Sequence, residues 1–173
     1  MKIQKELKFG SVCRVKRIKS CRLTINNCEG LILMTYLLNG NMRTCKINNL
    51  YLLIYWLNNR FKELNFEKHK IDKSMLSSNS WLSGFIDADG HFRVNNMKNW
   101  ISCGLESVQS SVDKQGFSKI GIIELLAQYL KVKMGKFGRK EYPKYLEYRV
   151  RTSGLNNNFI LIDYIEQYPL FSS

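Results

Sequence analysis

The stretch NSWLSGFIDADGHFRV, residues 79 to 94, changes period without an intervening loop. Apolar side chains fall at helical spacing as far as Asp89, and from Gly90 the pattern alternates as in a half-buried strand. A helix that runs directly into a strand fixes the direction of both, and the rest of the chain has to fold around that joint. Asn79 or Ser80 can cap the helix at 81–89 and Gly90 can close it. Strands follow near 91–97 and 100–109, then a helix within FSKIGIIELLAQYLK. VKMGKF and YLEYRVRT form a hairpin across the basic loop GRKEYPK, and LNNNFILIDYIEQY closes the unit as an amphipathic helix capped near Asn156. The order is helix, two strands, helix, two strands, helix, so the fold class is α+β.

Residues 1–61 carry only part of that order. Lys2, Lys5, Lys8, Arg14, Lys16, Arg17, Lys19 and Arg22 face Glu6 alone in the first 22 residues, which read as a basic arm or strand pair. CRLTINN alternates like a strand. EGLILMTYLLNGN reads as a short helix stopped at Asn39-Gly40, and INNLYLLIYWLNNRF as a second, with Ile47, Leu50, Leu53, Ile54 and Leu57 on one side. Both apolar runs, 31–38 and 50–57, read as core. Residues 62–79 are polar without clear period and read as a linker to a unit at 80–173.

The 27 Lys+Arg exceed 14 Asp+Glu, a formal net charge of +13 at pH 7, so the expected partner is a polyanion, with nucleic acid ahead of an anionic membrane surface. The longest apolar run, LYLLIYWL, is far short of the roughly 20 residues needed to span a bilayer. Five cysteines without a CxxC pair suggest packing thiols rather than a zinc site or a disulfide framework. Heavy use of Asn, Lys, Ile and Tyr suits an AT-rich gene, as many organellar genes are.

Asp89 stands in the last turn of its helix, where a carboxylate meets the negative end of the macrodipole at a cost of a few tenths to ~1 kcal/mol. Such a placement calls for a cation. Gly84 and Ala88, four apart with Ser83 beside them, form a small-residue face that another helix could approach closely. Two such helices would bring two acids together, able to hold Mg²⁺ beside a phosphate.

LSGFIDADG, residues 82–90, resembles the signature of the LAGLIDADG homing endonucleases. The likeness extends to MRTCKINNLYLLIYWLNN and YRVRTSGLNNNFILIDYIEQYPLFSS, which are similar to segments of mitochondrial two-motif members. The resemblance implies an αββαββα fold whose antiparallel four-stranded sheet saddles nucleic acid, and it makes residues 1–61 the tail of an incomplete first copy lacking its own signature helix. It also implies Asp89 as metal ligand and catalytic acid, Asp87 as a structural neighbour, and Gln109 near the active-site water. Arg93 and Asn95, and Arg149 and Arg151 on the hairpin, would face nucleic acid. Ser153 falls about where the family carries a strand lysine.

Lys131, Lys133, Lys136, Arg139, Lys140 and Lys144, with Arg14, Lys16, Arg17 and Lys19 in the first unit, complete the expected nucleic-acid-binding set. Glu106, on the sheet face meant for nucleic acid, is expected to pair with a neighbouring base, and His91 to be an ordinary surface residue. The resemblance also implies that cleavage of both strands needs two signature helices, and these residues hold one. The expected function is therefore a family-derived binder of structured RNA in an organellar ribonucleoprotein such as the mitochondrial ribosome, no longer cutting by itself, with ribosomal proteins as neighbours. The alternatives are a Mg²⁺-dependent double-strand DNA endonuclease completed by a second LAGLIDADG chain or a homodimer, and an intron RNA maturase. The expected location is the mitochondrion or another organelle, with no membrane partner.

Overall fold

The computed structural model describes residues 2–15, 20–97, 100–113, 115–139 and 142–172, with the backbone alone at 97, 100, 101, 139 and 142–145. The chain divides into two compact units, Met1–Met42 with Lys46–Asp72, and Arg43–Cys45 with Lys73–Ser173.

The second unit begins with a short 3₁₀ turn, Leu76–Ser78, and continues through α4 (Trp81–Asp89), β3 (Gly90–Met97), β4 (Trp100–Ser110), α5 (Ile120–Tyr129), β5 (Gly135–Arg139), β6 (Tyr142–Arg151) and α6 (Leu155–Gln167). Its four strands form one antiparallel sheet in the order β3-β4-β6-β5. The order expected from the sequence is the order found.

Why α4 starts and stops where it does is local. The Asn79 side-chain oxygen accepts the Trp81 backbone N–H at 3.0 Å, supplying one of the caps anticipated, whereas Ser80 makes no side-chain cap bond. Leu82 and Ile86, four apart, are buried. At the other end Gly90 has φ −78, so the helix does not end through a left-handed glycine. Glycine is needed there because a Cβ would lie 2.6 Å from the Ile86 carbonyl oxygen, and only a residue without one lets β3 leave the helix at once.

Leu82, Ile86, Leu105, Ile123, Leu126, Leu130, Val150, Leu161 and Tyr164 form one core between the helices and one face of the sheet. Each buried leucine contributes roughly 1.5–3 kcal/mol. Tyr164 ties α6 to α4: its hydroxyl donates to the Asn79 carbonyl at 2.8 Å and accepts the Ser83 N–H at 3.2 Å. The helix α6 itself starts after Gly154 with no side-chain cap. Asn157, near the cap expected at Asn156, instead donates to the carbonyls of Leu130 and Lys131 at the end of α5, at 2.9 and 3.1 Å.

The first unit contains α1 (Lys2–Leu7), a hairpin of β1 (Ser11–Arg14) and β2 (Cys21–Thr24), α2 (Cys28–Leu38) and α3 (Ile47–Arg60). The inner side of α3 is Ile47, Leu50, Ile54 and Leu57; Leu53, expected with them, is only half-buried, and Leu52, Tyr55 and Trp56 are exposed, so 50–57 is core on one side only. The reading of 31–38 as core is too generous, because α2 buries only Gly30 and Thr35 while Tyr36 and Leu37 are exposed. Its apolar residues run around the helix instead of gathering on one side.

The polar stretch after α3 is irregular yet fastened. Asn58 exchanges two hydrogen bonds with the Phe66 backbone, and Asn39 donates to the Glu67 carbonyl and accepts the His69 N–H. Tyr51 donates to the His69 carbonyl at 2.6 Å. An asparagine amide reproduces the donor and acceptor of a peptide group, so it can hold a strand-like segment without a sheet. These bonds lie within the first compact unit, which includes Lys46–Asp72.

Candidate nucleic-acid interface

The pleat sorts the side chains of the sheet. Leu105, Ser107 and Gln109 on β4, with Tyr148 and Val150 on β6, lie on the helix-covered side; Gly104, Glu106 and Val108, with Arg149 and Arg151, lie on the other. On β3 the open side carries His91, Arg93 and Asn95.

Glu106 is the centre of that open face. Its carboxylate lies 3.0 Å from Arg151 Nε, 3.5 Å from Arg149 Nε and 4.0 Å from Arg93 Nε. The Glu106 side chain is 18 % exposed and so is that of Arg93, so the cluster is only partly screened by water. Arg149 also stacks its guanidinium 4.3 Å from the centre of the Phe137 ring. Three cations around one anion leave an excess of two positive charges on this face, with Arg151 closest and the Nε atoms of Arg93 and Arg149 making no hydrogen bond among the described residues. Glu106 thus takes the ion-pair role expected for it, with three bases in place of one.

Asp89 closes α4 under different conditions. It is exposed, and its Oδ2 accepts a 2.9 Å hydrogen bond from Gln109 Nε2. Its Oδ1 has no hydrogen-bond partner among the described residues. Asp87, two residues earlier, accepts the N–H groups of Phe171 and Ser172 and the Ser172 hydroxyl. The Ser172 hydroxyl, together with those two amides, holds the Asp87 carboxyl below the ordinary carboxylate range. Of the two acids in the motif, one anchors the chain end and the other stays open.

A divalent metal is what the family resemblance implies for Asp89. Mg²⁺ requires near-octahedral oxygen coordination and takes one or two carboxylates with waters and phosphate oxygens making up the rest. Among the described residues no group of three or more His, Cys, Asp or Glu is placed to hold a metal ion. The exposed Asp89 carboxylate could serve as one ligand of such an ion, with the remaining positions left to waters, phosphate oxygens or a further acid.

The small-residue trio divides. Gly84 and Ala88 are exposed, and a Cβ on Gly84 would meet nothing within 4 Å. Ser83 lies on the inner side, 4 % exposed, with its hydroxyl donating to the Tyr168 carbonyl. The open face of α4 is thus narrower than the sequence suggests.

The basic residues also divide. Arg93, Asn95, Arg149 and Arg151 share the open sheet face, and Lys131 and Lys133 are exposed on the turn before β5. Lys136 is exposed too, but it pairs with Tyr148 in register and so belongs to the opposite side of the sheet. Arg14 is exposed on β1 in the first unit. Arg139 and Lys144 lie in β5 and β6 with side chains outside the described residues, and Lys16, Arg17, Lys19 and Lys140 lie outside them altogether. Sequence reasoning missed Phe137 as the platform under Arg149. The register that pairs Gly135 with Arg149 carries that information, and hairpin spacing alone does not.

A family model described as LAGLIDADG endonuclease matches residues 82–173, more than half of the chain. The intron-encoded DNA endonuclease aI3 of Saccharomyces cerevisiae is 28% identical over 183 residues, covering 87% of this chain and 44% of that protein. The chain therefore spans less than half the length of this curated relative. Among solved structures, the LAGLIDADG meganuclease I-AabMI bound to uncleaved DNA superposes with a TM-score of 0.62 at 17% identity, over 98% of this chain and 70% of that one. The LAGLIDADG homing endonuclease I-GzeII in complex with its DNA target gives 0.59 at 15% identity, over 98% and 69%. Both share the α+β architecture with its four-stranded antiparallel sheet, and with the family model matched across the signature helix and everything after it, the chain belongs to the LAGLIDADG endonuclease family.

Proposed function

We propose that the chain binds nucleic acid across the open face of its sheet and does not cut both strands by itself. The observation that carries this reading is the cluster of Arg93, Arg149 and Arg151 on Glu106, an excess of positive charge in a chain of net charge +13. Arginine suits the task because its planar fork meets phosphate or a guanine edge bidentately. Residues 1–61 are the tail of a first copy of the same fold, a reading supported by the span of the structural likeness over 98% of the chain.

The open acid of the signature, Asp89, separates binding from cutting. Asp89 would be a metal ligand, and Gln109 would fix the direction of its carboxylate through the 2.9 Å bond. Bound Mg²⁺ would supply an activated water and stabilise the leaving oxygen. One such half-site leaves the second strand untouched.

For the occupant we favour structured RNA in an organellar ribonucleoprotein such as the mitochondrial ribosome, because the open sheet face offers phosphate contacts that hold structured RNA without any cutting step. A second reading is a Mg²⁺-dependent double-strand DNA endonuclease completed by another LAGLIDADG segment. It is supported by the exposed Gly84–Ala88 face, the Asp89–Gln109 pair, and relatives described as a DNA endonuclease and as DNA-bound. An intron maturase would use the same surface.

Competition binding of the 173-residue chain to a structured RNA and to a DNA duplex of matched length, at several salt concentrations, tests the reading. Salt-dependent binding to either is expected, with the RNA outcompeting the duplex. Absence of salt-dependent binding to both would overturn it, and preference for the duplex would favour the endonuclease.

A further inference from the structure

Where α5 gives way to β5, a cleft of about 440 Å³ opens, lined by Lys131, Lys133, Arg149, Arg151, Ser153 and Asn157. Among the described residues four cations line it and no acid does. Arg149 and Arg151 direct their Nε atoms to Glu106, and their terminal nitrogens make no hydrogen bond among the described residues. Lys131, Lys133 and the Ser153 hydroxyl likewise have no hydrogen-bond or ion-pair partner there.

The backbone supplies a second observation. Lys131 has φ +53, the left-handed conformation that a side chain with Cβ adopts at a cost. It follows a helix end closed by Lys131 N–H to Gln128 and Val132 N–H to Ala127, a position where glycine or asparagine is usual. A cation anywhere in the last turn of α5 would complement the helix dipole without strain. Strain accepted at this one residue puts an ammonium on the cleft, and Asn157 locks the turn by holding the carbonyls of Leu130 and Lys131.

We propose that this cleft seats one phosphate group of the nucleic-acid backbone, gripped by Lys131, Lys133 and the free ends of Arg149 and Arg151, with Ser153 as a neutral donor. The proposal rests on the nucleic-acid reading above and adds a fixed anchor at the β5 edge of the sheet. Phosphate contacts of this kind set the register of a protein on nucleic acid and carry no sequence information.

The test is an amide NMR titration of the 173-residue chain with inorganic phosphate, run against chloride at matched ionic strength. The amides of Lys131, Lys133, Gly135 and Ser153 should shift saturably with phosphate and not with chloride. Lys131→Gly should remove that response, raise the thermal midpoint by relieving the left-handed strain, and lower the slope of log K against log salt for a DNA duplex by about 0.9. Lys133→Gln, which leaves the turn intact, should weaken the phosphate response as well. Saturating nucleic acid should displace the phosphate. No phosphate-specific shift, or a shift that survives Lys131→Gly, would overturn the cleft. Phosphate retained while nucleic acid is bound would overturn its assignment to the backbone alone, whereas phosphate binding without any nucleic-acid binding would overturn the sheet-face reading with it.

Discussion

Asp89 and Glu106 are both carboxylates of the second unit, and their surroundings are opposite. Glu106 sits mid-strand with arginines from β3 and β6 on three sides, so its charge is matched from within the fold. Asp89 ends a helix, is exposed, and has a neutral amide as its hydrogen-bond partner among the described residues. A carboxylate surrounded by guanidinium groups organises a surface, whereas one left at the negative end of a helix has room for an incoming cation. The contrast separates the proposed binding surface from the proposed half-site for cutting, and each can be perturbed without the other.

The largest effect should come from breaking what supports both. Leu82, fully buried in α4, holds the helix that ends in Asp89 onto the sheet that carries Glu106. Leu82→Ala should cost about 2–5 kcal/mol in a denaturant titration. A cost below about 1 kcal/mol would mean that α4 is not seated in this core.

Next comes the binding surface alone. Arg149→Ala with Arg151→Ala should lower the slope of log K against log salt by about 1.8, since each phosphate contact contributes about 0.9 on duplex DNA. Asp89→Asn in metal-free buffer should leave the same slope unchanged. Equal effects from the two variants would erase the distinction between the regions.

Glu106→Gln sharpens it. Removing the anion frees its three arginines, so non-specific affinity at low salt should rise severalfold while discrimination between sequences falls, both read from competition binding. Unaltered affinity would show that Glu106 neither restrains nor organises them.

The smallest effect concerns Asp87. Its folded pKa lies below the ordinary value of about 3.8, so its tail contacts add stability above that value. That contribution is lost as pH falls from the ordinary value through the lowered one. Acidification in that window should expose the Ser172 amide to exchange ahead of global unfolding, and Asp87→Asn should expose it at neutral pH as well.

The element order and the limits of α4 were legible because their causes are local: a capping asparagine, apolar residues four apart, and a glycine at the joint. The opposite roles of the two carboxylates were only half legible. Glu106 was expected to find one base, but its partners come from two strands whose register no spacing rule supplies. The inward turn of Ser83 was hidden because its acceptor, the Tyr168 carbonyl, is 85 residues away. The left-handed backbone of Lys131 was hidden for another reason, since a helix end without glycine or asparagine gives no sign of a left-handed residue. The fastening of residues 62–72 depends on Asn39 and Asn58, whose side chains stand in for backbone at positions that periodicity cannot mark.

The most direct measurement is to incubate the 173-residue chain with Mg²⁺ and with either a structured RNA or a long DNA duplex library, then read binding on a native gel and strand integrity on a denaturing one. Saturable, salt-dependent binding with both strands intact is the expected result. Double-strand cleavage by this chain alone, abolished by Asp89→Asn, would contradict the separation of binding from cutting.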